Sequence, residues 1–345
     1  MIKVLFVDTA CEGHHTVYLK NLVCSGKYQS VCCVPRRYAG IKTKHYSVEI
    51  NPGQNVISYM RWINEIKTIA DMEHVDIIQI MQMDPLMKYF SFYLNKLKEY
   101  RIVVVYHHFW KGWLRKSSYL TISKKVDFAV VHTQPIRDKL VSYGLKNIKK
   151  FEYPGFGQTG NKTADHFPRR LLAFGATRYD KGLDILLDAL KLVGENFCIY
   201  IVGKDTYFDK EYILEHSMQY REKVYLDLRV VSDEEKEKYF AETDIVVLPY
   251  RQVFDGASGP LCDGVIKEKV IIGPNHGSLK GIIEDNHIGY TFSSESPESL
   301  AEVISRAINS DFSYDEKAVE YKKSLLPERM QKEYEKLFLS LADPD

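Results

Sequence analysis

Long apolar stretches are missing from this sequence. No run approaches the roughly 18 consecutive apolar residues that a membrane-spanning helix needs. The opening segment, MIKVLFVDTA, enters a strand pattern at once and lacks the layout of a signal peptide. The six cysteines form no Cys-x-x-Cys pair and no regular framework, which favours reduced thiols over disulfides. We therefore expect a cytoplasmic protein.

Motifs for metals, dinucleotides and nucleic acids are missing as well. Cys32 and Cys33 are adjacent, a spacing that rarely ligates one ion tetrahedrally. No clear Asp-x-Asp site accompanies the paired histidines described below, and neither half opens with a Gly-x-Gly-x-x-Gly turn. No nucleic-acid recognition module is visible. We expect no metal, no other cofactor and no nucleic-acid partner.

Apolar strand patterns alternate with amphipathic helix patterns along the chain. This alternation predicts parallel, doubly wound sheets of the α/β class. A length of 345 residues favours two domains. The stretch PGFGQTGNKTADHFP is rich in turn formers and has no periodicity, which is typical of a linker. We predict a Rossmann-like domain at 1–155, a linker at 156–168, a second Rossmann-like domain at 169–325 and a final helix at 326–345.

Charge is distributed unevenly between the two halves. Residues 1–165 hold 24 Lys and Arg against 13 Asp and Glu, whereas the remainder holds 23 against 33. The first half is therefore basic although the whole chain is nearly neutral, with a formal charge of +1. Two interpretations stay open: the first half faces something anionic, or the two halves attract each other.

The segment LLAFGATRYDKGLDILLDAL, residues 171–190, combines an apolar strand, a glycine turn and a helix. The helix pattern places one apolar stripe on a single face, formed by Leu183, Leu186, Leu187 and Leu190. Two cations, Arg178 and Lys181, lie at the turn. In open α/β sheets ligands bind where a strand feeds a helix, and cations beside free backbone N–H groups suit a diphosphate. The alternative is a pair of solvated cations that bind neighbouring aspartates.

This segment resembles the G…R…KG-x-D-x-L-L-x-A motif of retaining GT-B glycosyltransferases, the group of glycosyltransferase family 4 (glycosyl transferases group 1). The later block DIVVLPYRQVFDGASGPLCDGVIKEKVIIGPNHGSLKGIIEDNHIGYTF resembles the donor-binding half of the same family. The resemblance is good over roughly 170–305 and weaker over 1–155. It implies a GT-B fold, in which two Rossmann-like domains face a central cleft, and a nucleoside-diphosphate sugar as the donor. Ala176 departs from the pattern, because many relatives have Arg directly after the glycine.

The resemblance also implies a mechanism. Arg178 and Lys181 would contact the donor diphosphate and stabilise the negative charge that grows on it as the glycosidic bond breaks. The departing phosphate would deprotonate the incoming hydroxyl on the same face, which gives retention. The acceptor would be a glycan or a lipid-linked molecule, in cell-surface polysaccharide synthesis of the bacterial type.

An acidic, glycine-rich turn belongs to the second block. The family has two glutamates separated by seven residues, and DGASGPLCD supplies two aspartates at that separation. Carboxylates and hydroxyls bind sugars and ribose, and glycines permit close backbone approach. The candidate donor-binding residues here are Asp255, Gly256, Ser258, Gly259 and Asp263. Two alternatives stay open: Cys262 takes the ribose-binding position, or the segment is a capped surface turn. The family's GkPVI reads KEKVI here.

Two pairs of histidines follow strands of the first half. Gly13, His14 and His15 form a turn that the resemblance places near the donor phosphate. His107 and His108 follow the fourth strand, where the resemblance places a histidine near the transferred sugar and the acceptor. For each pair the alternative is an ordinary structural histidine. The candidate catalytic residues are therefore Arg178, Lys181, His107 and His108.

The segment Trp110–Lys125, WKGWLRKSSYLTISKK, is basic and aromatic. It could lie against an anionic membrane, which would suit a lipid-linked acceptor and place the protein at the inner face of the membrane. We favour the other interpretation, an amphipathic helix that packs its tryptophans inside.

Two further segments carry the resemblance. Arg229 lies in a segment that passes the nucleobase in the family, so it is a candidate donor-binding residue. A capping box, Ser232 with Glu235, follows it. The tail resembles the terminal helix that returns to the first domain in this fold, with a predicted buried face of Tyr334, Phe338 and Leu341.

Two other functions stay open. The altered acidic turn would also suit a non-catalytic GT-B subunit that binds a donor or a partner. A different two-domain α/β enzyme, such as a sugar epimerase or an oxidoreductase, is disfavoured because the dinucleotide glycine motif is missing.

Overall fold

The computed structural model describes residues 1–10, 14–38, 40–50, 55–160, 165–194, 196–254 and 256–342, without the side chains of His14, His15, Lys88 and Leu114. Two compact units are present. The first comprises Met1–Pro154 with Pro327–Asp345, and the second comprises Gly155–Leu326.

The first unit contains a seven-stranded parallel sheet in the order β3-β2-β1-β4-β5-β6-β7. The strands are β1 (Lys3–Val7), β2 (Gln29–Val34), β3 (Lys44–Ser47), β4 (Ile77–Ile80), β5 (Arg101–Tyr106), β6 (Phe128–Val131) and β7 (Ile148–Lys150). The helices are α1 (His14–Val23), α2 (Val56–Glu73), α3 (Met87–Tyr93), α4 (Trp113–Ser123) and α5 (Gln134–Ser142). The sequence pattern does not predict β3, because this edge strand is polar and mostly exposed.

Cys32 and Cys33 lie in the middle of β2, where both are buried. Adjacent side chains of a strand point to opposite faces, so these thiols cannot share one ion. Burial raises the pKa of Cys33 to about 12. They are inert core residues.

The second unit contains a six-stranded parallel sheet in the order β10-β9-β8-β11-β12-β13. The strands are β8 (Arg169–Phe174), β9 (Phe197–Val202), β10 (Val224–Asp227), β11 (Ile245–Val247), β12 (Val270–Pro274) and β13 (Gly289–Phe292). The helices are α6 (Leu183–Leu190), α7 (Lys210–His216), α8 (Asp233–Ala241), α9 (Gly259–Ile266), α10 (Gly277–Asp285), α11 (Pro297–Ile308) and α12 (Glu316–Ser324). Inner strands such as β11 are buried throughout, as expected for a parallel sheet with helices on both faces.

Local signals in the second unit are confirmed. The predicted leucine stripe of α6 is buried in the core, since all four leucines are at most 4% exposed. The predicted capping box of α8 is present: Glu235 N donates to Ser232 Oγ, and Ser232 N donates to the Glu235 carboxylate. Both features depend on short-range spacing, which is why the sequence shows them.

The first part of the stretch predicted as a linker is hydrogen-bonded to the second unit. Gly155 N donates to Leu325 O over 3.0 Å, and Gly160 N donates to Ile266 O over 3.1 Å. These backbone hydrogen bonds attach residues 155–160 to the second unit. Irregular composition indicates the absence of periodic structure, and it does not exclude specific backbone bonds.

The last helix, α13 (Pro327–Ala342), belongs to the first unit. The predicted buried face is confirmed, with Tyr334, Phe338 and Leu341 all buried. Tyr334 shares a hydrogen bond with the Tyr18 hydroxyl, 3.0 Å away, and the ring of Phe338 packs against Phe6 and Tyr28. The core of the first unit is therefore closed by residues from both ends of the chain.

Phe338→Ala is expected to lower the free energy of unfolding by about 3–5 kcal/mol, because it leaves a cavity against two aromatic rings. Denaturant unfolding measures the effect. Leu339→Ala is the matched control, since Leu339 is the next residue and is 52% exposed. Equal effects of the two substitutions would contradict the docking of α13.

Candidate functional site

The carboxyl ends of β8 and β11 lie side by side where the strand order of the second sheet reverses. The chain turns to one side after β8 and to the other side after β11, and such a point is where open α/β sheets bind ligands. The predicted diphosphate turn follows β8, and the acidic turn follows β11. The structure therefore brings these two predicted segments to one place.

The turn after β8 has a fixed backbone. Gly175 has φ +118°, and a Cβ on Gly203 would lie 2.4 Å from the Gly175 carbonyl oxygen, so the turns after β8 and β9 pack closely. Buried Thr177 donates through Oγ1 to Phe208 O over 2.7 Å and accepts from Thr206 N over 2.9 Å. These bonds hold the turn in one conformation beside the site.

The Lys181 side chain lies at the place where the strand order of the second sheet reverses. Its Nζ atom lies 3.7 Å from the ring centroid of Tyr250 and 4.5 Å from that of Phe254. Among the described residues no carboxylate forms an ion pair with it. Lys181 also lines a small pocket with Gly175, Thr177, Pro249 and Tyr250. The ammonium group is thus held by aromatic faces, which stabilise a cation without neutralising it.

Desolvation under the two rings lowers the pKa of Lys181 to about 7, and the nearby Arg178 guanidinium contributes to the shift. The neighbouring carboxylate of Asp180 opposes it. The side chain as a whole is only half-buried, so the shift reflects the local surroundings of Nζ. A bound anion would supply the missing negative charge and raise this pKa.

Arg178 is held by Asp180. Its Nε and Nη2 atoms donate to the two carboxylate oxygens over 2.8 and 2.6 Å. This bidentate pair fixes the guanidinium plane and leaves other N–H groups available. The ion pair between Arg178 and a neighbouring aspartate that we considered is therefore present, and it orients the cation near Lys181.

The acidic turn reaches the same place through Ser258 and Tyr250. Ser258 caps α9 by accepting from Leu261 N over 3.3 Å, and its Oγ lies 3.2 Å from the Tyr250 hydroxyl. Gly256 is buried beside it, and a Cβ on Gly259 would meet no atom. Asp255 lies outside the described residues. The backbone at Gly259 is therefore open to close approach.

Asp263 binds protein atoms. It is 9% exposed, accepts from Phe156 N over 3.1 Å and forms a 3.4 Å ion pair with Lys236. Burial raises its pKa, and Lys236 and Phe156 N oppose the rise. Cys262, one turn after Ser258 on α9, is buried as well. The carboxylate expected to bind the donor thus holds the 155–160 segment in place.

The KEKVI segment, residues 267–271, makes a turn that leads from α9 into β12. Glu268 has φ +56°, a conformation that glycine adopts readily and other residues adopt at a cost. Val270, which begins β12, donates its N–H to Asp244 O over 3.2 Å. The turn before β12 therefore forms with a glutamate at the strained position.

Arg229 has protein partners as well. Its guanidinium binds the carboxylates of Asp227 and Glu235, and Glu235 belongs to the capping box of α8. Half of the Arg229 side chain is exposed. It lies after β10, at the edge of the sheet, and no described contact joins it to Lys181 or Ser258.

In the first unit the two histidines after β5 share a buried carboxylate. His107 N and His108 N donate to the two oxygens of Asp84 over 2.9 and 3.0 Å. Burial raises the pKa of Asp84 to about 6, and these two N–H groups oppose the rise. The His107 ring donates from Nε2 to Met81 O over 3.1 Å. Gly13 and the side chains of His14 and His15 lie outside the described residues.

A buried histidine missed by the sequence reasoning follows β6. His132 is 3% exposed and packs against the rings of His107, Tyr18 and Tyr153. Its Nδ1 donates to Phe151 O over 3.2 Å, and its Nε2 has no hydrogen-bond partner among the described residues. Burial lowers its pKa to about 4, against the effect of the Phe151 bond. A single histidine in an apolar strand gave no signal.

The interpretation that the tryptophans of residues 110–125 pack inside is wrong. Trp110 is 46% exposed and Trp113 is 79% exposed. Tyr119 and Ile122 in the second half of α4 are buried, whereas the described side chains of its first turn, Trp113, Arg115 and Lys116, are exposed. Within the described residues, no helix is both long enough and apolar enough to cross a membrane.

Comparisons with known proteins agree with this geometry. Residues 161–325 match the family model described as glycosyl transferases group 1. No curated protein matches the sequence. The similarity to that family therefore covers nearly all of the second unit.

Solved structures are similar over the whole chain. A glycosyltransferase from Rickettsia africae ESF-5 has a TM-score of 0.79 at 15% identity, over 100% of this chain and 99% of the other. Anabaena Alr3699/HepE in complex with UDP has 0.76 at 14%, over 98% and 100%. The lipopolysaccharide outer core galactosyltransferase WaaB has 0.73 at 14%, over 99% of each chain. These similarities confirm the predicted GT-B fold, and the matched family supports glycosyl transfer.

Several residues of the site were not predicted. Tyr250 and Phe254 form the face against which Lys181 lies, and Thr177 fixes the turn. The LPY motif already contains Tyr250 and could have indicated it. The contact itself joins residues far apart in the chain, so spacing alone could not show it.

Asp263→Ala is expected to lower the free energy of unfolding by about 2 kcal/mol, because it leaves Phe156 N and Lys236 without their acceptor. Denaturant unfolding measures the change. Asp263→Asn keeps an acceptor for Phe156 N and should cost less. An Asp263→Ala variant with unchanged stability would show that these bonds contribute nothing.

Protonation of His132 should lower the stability of the folded protein as the pH drops from about 6.5 to about 4, whereas Asp84, whose pKa burial raises to about 6, contributes in the opposite direction. His132 stays neutral in the folded state down to a pKa of about 4, whereas an unfolded histidine titrates near 6.5. The unfolded state therefore binds the extra proton in this window, which lowers the free energy of unfolding by up to about 3 kcal/mol. Denaturant unfolding at pH 7 and pH 4.5 measures it. His132→Asn removes only the His132 contribution, so its stability at pH 4.5 relative to pH 7 should exceed that of the natural protein, and an unchanged difference would contradict this assignment.

Proposed function

We propose that this protein is a retaining glycosyltransferase of glycosyltransferase family 4. It transfers a sugar from a nucleoside-diphosphate sugar to a hydroxyl of a glycan or lipid-linked acceptor, in cell-surface polysaccharide synthesis of the bacterial type. The observation that carries the proposal is the ammonium group of Lys181, desolvated over two rings at the strand reversal of the second unit. The match of residues 161–325 to group 1 glycosyl transferases supports it.

The charge balance of the site favours a diphosphate. Lys181 has a pKa of about 7 and no described counter-ion, so its charged form gains more from a bound anion than an exposed lysine would. Arg178, held by Asp180, adds a second cation with a fixed plane. HepE binds UDP in a fold shared with this chain, which makes UDP the first nucleotide to test.

The proposed reaction needs these cations as the bond breaks. The bond between the anomeric carbon and the diphosphate oxygen breaks, and the negative charge on that oxygen is stabilised by Lys181 and Arg178. The acceptor hydroxyl forms the new bond on the same face and gives its proton to the departing phosphate. The anomeric configuration of the product, read by NMR, tests retention. Of the other proposed donor-binding residues, Gly256, Ser258 and Gly259 belong to the turn that contacts Tyr250.

A second function, donor binding without transfer, is favoured by one observation. Asp263, expected to bind the donor, is engaged by Phe156 N and Lys236. A protein of this kind would bind a nucleoside diphosphate and release it unchanged. Calorimetric titration with UDP and GDP beside a transfer assay distinguishes the two functions.

Lys181→Met should lower kcat by a factor of about 10²–10³, the range measured when one donor to a developing anion is removed. UDP affinity of the natural protein should fall as the pH rises above about 7, because the ammonium group that binds the diphosphate loses its proton. In Lys181→Met the affinity should be low and independent of pH between 7 and 9. Lys181→Arg should bind UDP without this pH dependence, since arginine stays charged.

Lys191→Met is the matched control. Lys191 follows the same helix and binds Asp188 at the surface, so its loss should leave UDP affinity and turnover unchanged. An unchanged rate of sugar transfer by the Lys181→Met variant would overturn the role assigned to Lys181. If the natural protein neither bound nor transferred any nucleoside-diphosphate sugar, the proposal would be wrong.

A further inference from the structure

The first turn of α4 and the residues before it form an exposed surface that the proposed reaction does not use. We name it the basic aromatic surface and define it by Trp110, Lys111, Trp113, Arg115 and Lys116. All five are exposed, and the exposed fraction of Trp113 reaches 79%. Exposed apolar side chains that are grouped in one patch mark an interaction site.

The positive charge of this surface is uncompensated. No acidic residue occurs between Glu99 and Asp127. Among the described residues none of the three cations forms an ion pair. The guanidinium of Arg115 instead lies 4.7 Å from the Trp110 ring, and Lys116 Nζ lies 5.2 Å from the Tyr143 ring. The cations are therefore exposed beside the tryptophans, and no described carboxylate neutralises their charge.

The surface is held by the fold. Trp110 N donates to the hydroxyl of Tyr119, 3.1 Å away, and Tyr119 is fully buried against Phe109 and Tyr106. Gly112, at φ +133°, directs the chain into α4 between the two tryptophans. The tryptophans are therefore exposed from an anchored segment, whose ordering costs little on binding.

We propose that the basic aromatic surface docks on an anionic lipid membrane. Tryptophan prefers the boundary between headgroups and acyl chains, and each Lys or Arg close to an anionic bilayer adds attraction. Two exposed tryptophans suit the boundary with the acyl chains, and three cations without an ion pair in the described part of the chain suit the headgroups. The proposal is independent of the glycosyltransferase activity, and it agrees with the interpretation that the basic first half faces something anionic.

Sedimentation of the full chain with vesicles tests the proposal. Vesicles of phosphatidylcholine with about 30% phosphatidylglycerol should bind the protein at low salt. Vesicles of phosphatidylcholine alone should bind it at least tenfold more weakly. Trp110→Ala/Trp113→Ala and Arg115→Glu/Lys116→Glu should each weaken binding at least tenfold. Because these residues are exposed, the melting temperature should stay unchanged.

Matched controls lie on the second unit. Leu192→Ala/Met218→Ala removes two exposed apolar side chains, and Lys210→Glu/Lys238→Glu reverses two exposed cations. Both control variants should bind vesicles like the natural protein.

Equal binding to both kinds of vesicle, or unchanged binding by either test variant, would overturn the proposal. Binding to heparin without binding to vesicles would do so too, because it would assign the surface to a polyanionic glycan. UDP binding, measured in parallel, reports the proposed function separately.

Discussion

The Lys181 ammonium group lies over two aromatic rings at the strand reversal of the second unit, and the electrostatics of this place depend on that position. A cation is rarely left without a carboxylate in a desolvated place, and here its pKa falls to about 7 as a result. The parallel sheet makes this arrangement possible, because β8 and β11 are neighbours whose connections diverge. Thr177 and the close approach of Gly203 to Gly175 hold the turn in that position. The same constraint that makes the cation costly in the free protein makes an anionic ligand favourable.

Carboxylates around the site serve mainly to position other groups. Asp180 orients the guanidinium of Arg178, and Asp263 holds the backbone at Phe156. In the first unit Asp84 binds the backbone N–H groups of His107 and His108 and so fixes the chain that follows β5. Burial raises the pKa of Asp84 and of Asp263, which these hydrogen bonds partly offset. The anionic groups therefore determine where the cations and histidines stand.

The sequence was sufficient wherever the signal was local. The stripe of α6, the capping box of α8 and the buried face of α13 each depend on residues three or four positions apart, and all three are confirmed. The alternation of strands and helices also predicted two parallel sheets. The polar edge strand β3 was missed because it buries little and carries no apolar pattern.

The site was less predictable because its contacts join distant parts of the chain. Spacing placed Asp263 in the acidic turn, yet its carboxylate binds Phe156, 107 residues earlier. The tryptophans of the basic aromatic surface were expected inside, because an amphipathic pattern does not show which side chains of a helix reach the core, and Trp113 is exposed. Arg178 and Lys181 were identified from the turn, whereas the rings of Tyr250 and Phe254 beneath Lys181 required the structure.

The division of the first unit between both ends of the chain has a consequence for synthesis on the ribosome. Its sheet is made first, but α13 leaves the ribosome only after the whole second unit. At roughly 5–20 residues per second this interval is about 10–30 s. Until then the faces of Phe6 and Tyr28 that Phe338 covers stay uncovered. The first unit is therefore completed after the second, and a premature stop before α13 would leave the core of the first unit open.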